Sequence, residues 1–158
     1  MGAYVAVVGA GRSTPDEERA AEEIGRGLAA AGATVVCGGL GGVMEAACRG
    51  AKGAGGTTVG ILPGTSRAEA NPFVDVAIPT GLGELRNGLV VRAADALVAV
   101  GGEFGTLSEI ALALKTQKPV VALGGWELTR GGEGVEAIER ASSPGEAVAR
   151  VLAAYEGA

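Results

Sequence analysis

The 158-residue sequence contains no histidine, which removes the Ser-His-Asp and Cys-His nucleophile systems and leaves any metal site without its commonest ligand. Aromatic residues make up only 3%, so Val, Leu, Ile and Ala must fill the core. The two cysteines, Cys37 and Cys48, have no CxxC partner. A disulfide scaffold or a zinc site therefore has no support, and both read as small buried apolar residues. Only Lys52, Lys115 and Lys118 are present, none at a strand end facing a glycine loop, so a pyridoxal Schiff base has no host. No apolar stretch approaches the roughly 20 residues of a membrane span, and Met1-Gly2-Ala3-Tyr4 lacks the basic start of a signal peptide. Net charge is -5 with no basic run, which argues against a surface that grips nucleic acid. A soluble, cytoplasmic protein is expected, with neither membrane nor nucleic-acid partner.

What the chain has in excess is small residues: 29 Gly and 30 Ala, more than a third of the total. Hydrophobic content of 47% against 20% charge nevertheless marks an ordinary globular chain, read as one domain over residues 1–158. Apolar runs, glycine clusters and helical stretches alternate, which is the mark of parallel strands joined by helical crossovers. The runs at 3–8, 34–37, 57–62, 74–78, 95–100 and 119–123 are expected strands, with 135–138 a weak seventh. Thr14-Pro15-Asp16-Glu17 and Ser143-Pro144-Gly145-Glu146 are helix starts with a cap, a proline and a capping glutamate. Further helices are expected from Val43, around Glu84 to Arg92, and from about Leu107 to Thr116. The fold class is α/β: a doubly wound, Rossmann-like parallel sheet of six or seven strands with helices on both faces. The glycine-rich stretch Gly124 to Gly134 has no assigned role.

In such sheets ligands bind beyond the carboxyl ends of the strands, near the point where strand order reverses. Three loops there are glycine-rich, and glycine lets backbone approach a ligand while a following helix N-terminus favours an anion. They bring forward Gly9, Gly11, Arg12 and Ser13 after the first strand, Gly39, Gly41 and Gly42 after the second, and Gly101, Gly102, Gly105, Thr106 and Leu107 after the fifth. The phosphate contacts expected to be nearest are Thr106 and the amides of Gly102, Gly105 and Leu107. Tight turns alone would also use these glycines. Neither the third glycine of the dinucleotide fingerprint nor a GxxxxGK[ST] loop is present, which excludes the two commonest nucleotide motifs. Thr106-x-x-Glu109 sets a hydroxyl and a carboxylate on one helix face, and it reads equally as a capping box.

The segment Gly101 to Glu109 resembles the LOG family, formerly labelled lysine decarboxylases, whose signature is PGGxGTxxE. The family's enzymes are phosphoribohydrolases that cleave the N-glycosidic bond of nucleoside 5′-monophosphates, including cytokinin ribotides. That resemblance, spanning roughly residues 3–124, implies catalytic roles for Arg86 and Glu109, against a solvated or salt-bridging helix residue at Arg86. Gly38 to Ala51, Ile61 to Gly64, Leu82 to Asn87 and Gly101 to Leu114 are similar to a branch that looks like the molybdenum-cofactor carrier proteins. Val100, Glu84 and Asn87 stand where the hydrolases have Pro, His and Lys. The resemblance therefore implies a carrier of a phosphate-bearing nucleotide or a molybdopterin-type ligand, requiring no further cofactor and no metal, with a phosphoribohydrolase as the alternative. It also implies a homo-oligomer, dimer or tetramer, and the positions around Leu85, Leu89 and Val90 suit such a face or a core-facing stripe.

Overall fold

The computed structural model describes residues 2–158 and contains one sheet of seven parallel strands. In chain order the strands are β1 (Tyr4–Gly9), β2 (Thr34–Cys37), β3 (Thr58–Leu62), β4 (Val76–Pro79), β5 (Ala96–Val100) and β6 (Val120–Leu123). A small antiparallel hairpin, β7 (Thr129–Arg130) with β8 (Glu133–Gly134), follows, and β9 (Ile138–Arg140) completes the sheet. The spatial order is β4-β3-β2-β1-β5-β6-β9, so the chain reverses direction across the sheet between β1 and β5. The Rossmann-like expectation holds. The weak run at 135–138 overlaps the last strand only at Ile138, because β9 is an edge strand that buries Ile138 alone and leaves almost no alternation to read.

Among the described residues five α-helices cover the sheet: α1 (Pro15–Ala30), α2 (Val43–Gly53), α3 (Asn87–Ala93), α4 (Phe104–Lys115) and α5 (Pro144–Glu156). Side chains alternate along each strand, so the two faces divide one strand's residues between two cores. Val5 and Val7 of β1, with Ala96, Val98 and Val100 of β5, join Ile24 and Leu28 of α1 and Val151 of α5 on one face. Ala6 and Val8, with Leu97 and Ala99, join Val90 and Val91 of α3 and Ile110 of α4 on the other. Continuous apolar runs are required because parallel strands between two helical layers have no solvent face.

The small residues have a structural use at the α1–α2 crossing. A Cβ on Gly25 would lie 2.0 Å from the Ala47 carbonyl oxygen, and one on Gly50 would lie 1.9 Å from that of Glu22. The two helices are thus in backbone contact. Thr14 caps α1 as the sequence suggests: its hydroxyl accepts from the Glu17 N–H (3.2 Å) while the Glu17 carboxylate accepts from the Thr14 N–H (3.1 Å). Ser143 accepts from the Glu146 N–H (3.2 Å) and starts α5 in the same way.

Two expectations need correction. α4 begins at Phe104, with Glu103 as its cap, and not at Leu107. Glu84 and Arg86 sit on a 3-10 turn, Gly83–Arg86, that leads into α3, and not on a regular helix. In addition, Val90 is fully buried whereas Leu85 is 79% exposed, so only the latter can belong to an outer face.

Candidate functional site

At the carboxyl end of the sheet, where β1 and β5 part, a cavity of about 140 Å³ opens. Its floor is the end of β1, Val7 to Gly11; one wall is Gly38 and Met44, from the loop after β2 and the first turn of α2; the other is Glu103, Gly105, Thr106 and Glu109 of α4. Arg86 and Asn87 reach in from the 3-10 turn and the start of α3. The approach of three elements is what demands glycine at position 9, where a Cβ would lie 2.6 Å from the Val100 carbonyl oxygen and 2.7 Å from Val43. Gly42 starts α2 at φ +65°, and the Val43 N–H donates to the Ala10 carbonyl (3.1 Å). The β1 loop is thereby tied to the head of α2.

Arg86 is the most thoroughly anchored side chain here. Nε donates to the Ile61 carbonyl (2.8 Å), Nη2 to the Gly38 carbonyl (3.3 Å) and Nη1 to Asn87 Oδ1. Burial lowers its pKa from the ordinary guanidinium value, against the opposing fields of Glu109, Cys37 and Glu84. A solvated surface arginine does not have this set of partners, so that alternative is set aside.

Glu109 lies on α4, one turn beyond Thr106, and is 7% exposed. Burial pushes its pKa up to about 8, with the charge of Arg86 pulling the other way. Among the described residues its carboxyl makes no hydrogen bond and no ion pair. The capping-box reading fails, because Thr106 stands inside the helix that Glu103 begins and the carboxyl does not return to its amide. Thr106 is itself buried, 3% exposed, with no hydrogen bond from its hydroxyl among the described residues. The N–H groups of the first turn, at Phe104, Gly105 and Thr106, have no partner within the helix, and the first intrahelical bond runs from the Leu107 N–H to the Glu103 carbonyl (3.0 Å). The Leu107 amide is therefore already used.

Of the residues expected from sequence, Gly9, Gly11, Arg86, Gly105, Thr106 and Glu109 line the cavity. The others stand beside it. Gly39 lies against Leu62, Gly101 against the Glu17 carboxylate, and Gly102 against Thr106. Gly41 and Gly42 lie close to the Gly11 carbonyl. Arg12 is exposed, and Ser13 donates to Glu18 (3.0 Å). Besides Val7, Val8 and Ala10 of the floor, the residues that sequence reasoning did not place in the site are Gly38, Met44, Asn87 and Glu103. Asn87 was visible as a departure from the hydrolase pattern and as the end of the Leu82 to Asn87 segment similar to the carrier branch, and Gly38 as a member of the second glycine cluster and the start of the Gly38 to Ala51 segment. Cys37 and Cys48 are buried as expected, with their sulfurs 3.5 Å apart.

With a parallel doubly wound sheet and a cavity at its reversal point, the chain belongs to the SLOG cluster4 family, which it matches over residues 2–151. An uncharacterised protein of Archaeoglobus fulgidus is 45% identical over 119 residues, covering 75% of this chain and 78% of that one. Among solved structures, the chain is similar to the molybdenum cofactor binding protein of the phototrophic bacterium Rippkaea orientalis, with TM-score 0.86, 35% identity and 97% of each chain covered. It is also similar to the molybdenum cofactor carrier protein of Chlamydomonas reinhardtii, with TM-score 0.83, 35% identity and 99% of each chain covered. The resemblance drawn from the glycine motifs is thus borne out at the level of family and fold.

Proposed function

We propose that this protein is a carrier: a single binding domain that holds a phosphate-bearing nucleotide or a molybdopterin-type ligand, without consuming it, in the cavity at the head of α4. One observation carries the reading. A guanidinium, a buried hydroxyl and helix N–H groups without an intrahelical partner converge on a space in which, among the described residues, the buried carboxyl of Glu109 has no protein partner. Among the described residues no side-chain polar atom is buried without a partner, so these groups reach solvent through the cavity, and a ligand that pairs with them takes the place of water. An anion fits the donors: burial holds Glu109 protonated up to about pH 8, so Arg86 and the helix dipole face only the exposed carboxyl of Glu103 at the cavity wall. The cavity's 140 Å³ is smaller than the roughly 300–1,000 Å³ of whole-ligand sites, which suits one charged end of a larger molecule. The likeness to two molybdenum cofactor proteins supports the choice of cargo.

Self-association is part of the proposal. Leu82, Leu85, Leu89, Phe104 and Leu112 stand exposed around α3 and the outer side of α4, and contiguous apolar surface of this kind is a mark of an interface. Sedimentation is expected to show a dimer or tetramer; a monomer at micromolar concentration removes this element. Cytoplasmic residence goes with the proposal. Among the described residues no helix is long and apolar enough to cross a membrane.

A second reading has its own observation. Glu109, beside Arg86 and free of protein partners, could stabilise the oxocarbenium-like transition state of N-glycosidic cleavage or position ribose hydroxyls. Incubation with AMP and a panel of other nucleoside monophosphates separates the two. The carrier is expected to bind saturably and release no free base by chromatography; base release that vanishes in Glu109→Ala overturns the carrier in favour of the phosphoribohydrolase.

A further inference from the structure

Arg86 carries five N–H groups on a long, rotamer-rich stem, and its partners settle where they point. Nε is committed to Ile61 of β3 and one Nη2 proton to Gly38 beyond β2, while one Nη1 proton goes to Asn87. Two N–H groups are left for the cavity. The amide of Asn87 is fully determined by this arrangement. A guanidinium only donates, so the oxygen of Asn87 must face Arg86 and its nitrogen must face away. Nδ2 then donates to Ser108 Oγ (3.3 Å), and Ser108 donates in turn to the Gly105 carbonyl (2.6 Å) in the first turn of α4. Asn87 is 7% exposed, so water does not substitute freely for either partner. The result is a directed chain of hydrogen bonds from the cation to the helix N-terminus.

We propose that Asn87 is the positioning residue of the cavity: it fastens the Arg86 guanidinium to the first turn of α4, so that the cation and the free helix N–H groups meet an anion as one rigid unit. This rests on the reading of the cavity as an anion site. The oxygen and one Nδ2–H of Asn87 are taken by protein, so its main action on a ligand runs through Arg86, with one Nδ2–H left over at the cavity wall. No other side chain of similar length supplies both an acceptor for a guanidinium and a donor for a hydroxyl. Aspartate keeps the first and loses the second.

Calorimetric titration with AMP tests this on wild type, Asn87→Ala, Arg86→Ala and the double variant, each checked for an unaltered melting transition. Asn87→Ala is expected to weaken binding about tenfold, and the double variant to bind no more weakly than Arg86→Ala alone, since two residues acting through one group are not additive. Full additivity, or no loss in Asn87→Ala, overturns the proposal. A second readout needs no ligand: the solvent exchange of the Arg86 Nε–H, followed by 15N NMR. It is expected to be slow in wild type, to quicken about tenfold or more in Asn87→Ala as the lock opens, and to stay slow in Asn87→Asp, which keeps the acceptor oxygen. Unchanged exchange in Asn87→Ala overturns the lock. If wild type fails to bind AMP, the anion reading fails separately and the exchange measurement alone decides the role of Asn87.

Discussion

The two ends of the sheet use the same kinds of side chain for opposite purposes. At the amino end of the strands every conspicuous charge is paired. Asp75 accepts from both the N–H (3.0 Å) and the hydroxyl (3.2 Å) of Thr58 and meets Lys52 at 2.7 Å. Asp95 accepts from the Tyr4 N–H (2.9 Å), and Lys118 donates to the carbonyls of Val91, Arg92 and Ala94, closing the end of α3. At the carboxyl end Glu109 and Thr106 are buried with no side-chain partner among the described residues, and Arg86 keeps two N–H groups in reserve. Burial raises the pKa of both Asp75 and Glu109 when taken alone. At Asp75, Lys52 and Thr58 outweigh it and the pKa falls below the usual value; at Glu109 the Arg86 charge does not, and it rises to about 8. Polar groups are satisfied at one end and left facing the cavity at the other, as the proposed ligand site requires.

The sharpest way to break this contrast is to remove the charge of Glu109 and follow stability with pH. A carboxyl whose folded pKa lies above its unfolded one destabilises the fold progressively as pH rises from about 4.5 through about 8 and by a constant amount beyond. Glu109→Gln is therefore expected to melt like wild type at about pH 4 and to be more stable by roughly 3 kcal/mol or more at pH 9, since each tenfold change in acidity is worth about 1.4 kcal/mol. Parallel melting curves at both pH values contradict a buried, unpaired carboxyl. Asp75 has the opposite sign: its contribution is present above its ordinary pKa and is lost as pH falls through the lowered one. Asp75→Ala is expected to cost about 1–3 kcal/mol at neutral pH, the penalty for leaving Thr58 and Lys52 unpaired, with AMP affinity unchanged; a weakened affinity would show that the two ends are not separate. The smallest effect belongs to Thr14→Ala, which removes the α1 cap and is expected to cost about 1 kcal/mol in denaturant unfolding and to leave ligand binding alone.

Much of the frame was legible because parallel strands buried on both faces appear as unbroken apolar runs, as in β1 and β5, and because Thr14 and Ser143 announce their helices with a proline and a glutamate. β2 falls at Thr34–Cys37 in both readings. The start of α4 was misplaced by three residues because Glu103 caps it without a side-chain hydrogen bond, whereas Thr106 looks like a cap and is instead a buried hydroxyl in the first turn. The site was legible in part for a related reason. Glycine clusters mark where strands end, but they do not say which glycines face a ligand and which only let elements meet, as Gly39 does against Leu62 and Gly101 against Glu17. Asn87 and Gly38 join the site through Arg86, which crosses from the turn after β4 to carbonyls of β3 and of the loop after β2. Contacts between elements so far apart leave no periodic trace in the chain.

The most direct test of the central claim is equilibrium binding of AMP to wild type and Arg86→Ala at neutral pH, with free base followed in the same samples. Saturable binding without base release, weakened about 100-fold in the variant, is the expected result, within the roughly 2–5 kcal/mol for truncating one partner of a buried, hydrogen-bonded charge pair. Equal affinity in the two proteins would contradict a carrier whose anion site is built on Arg86.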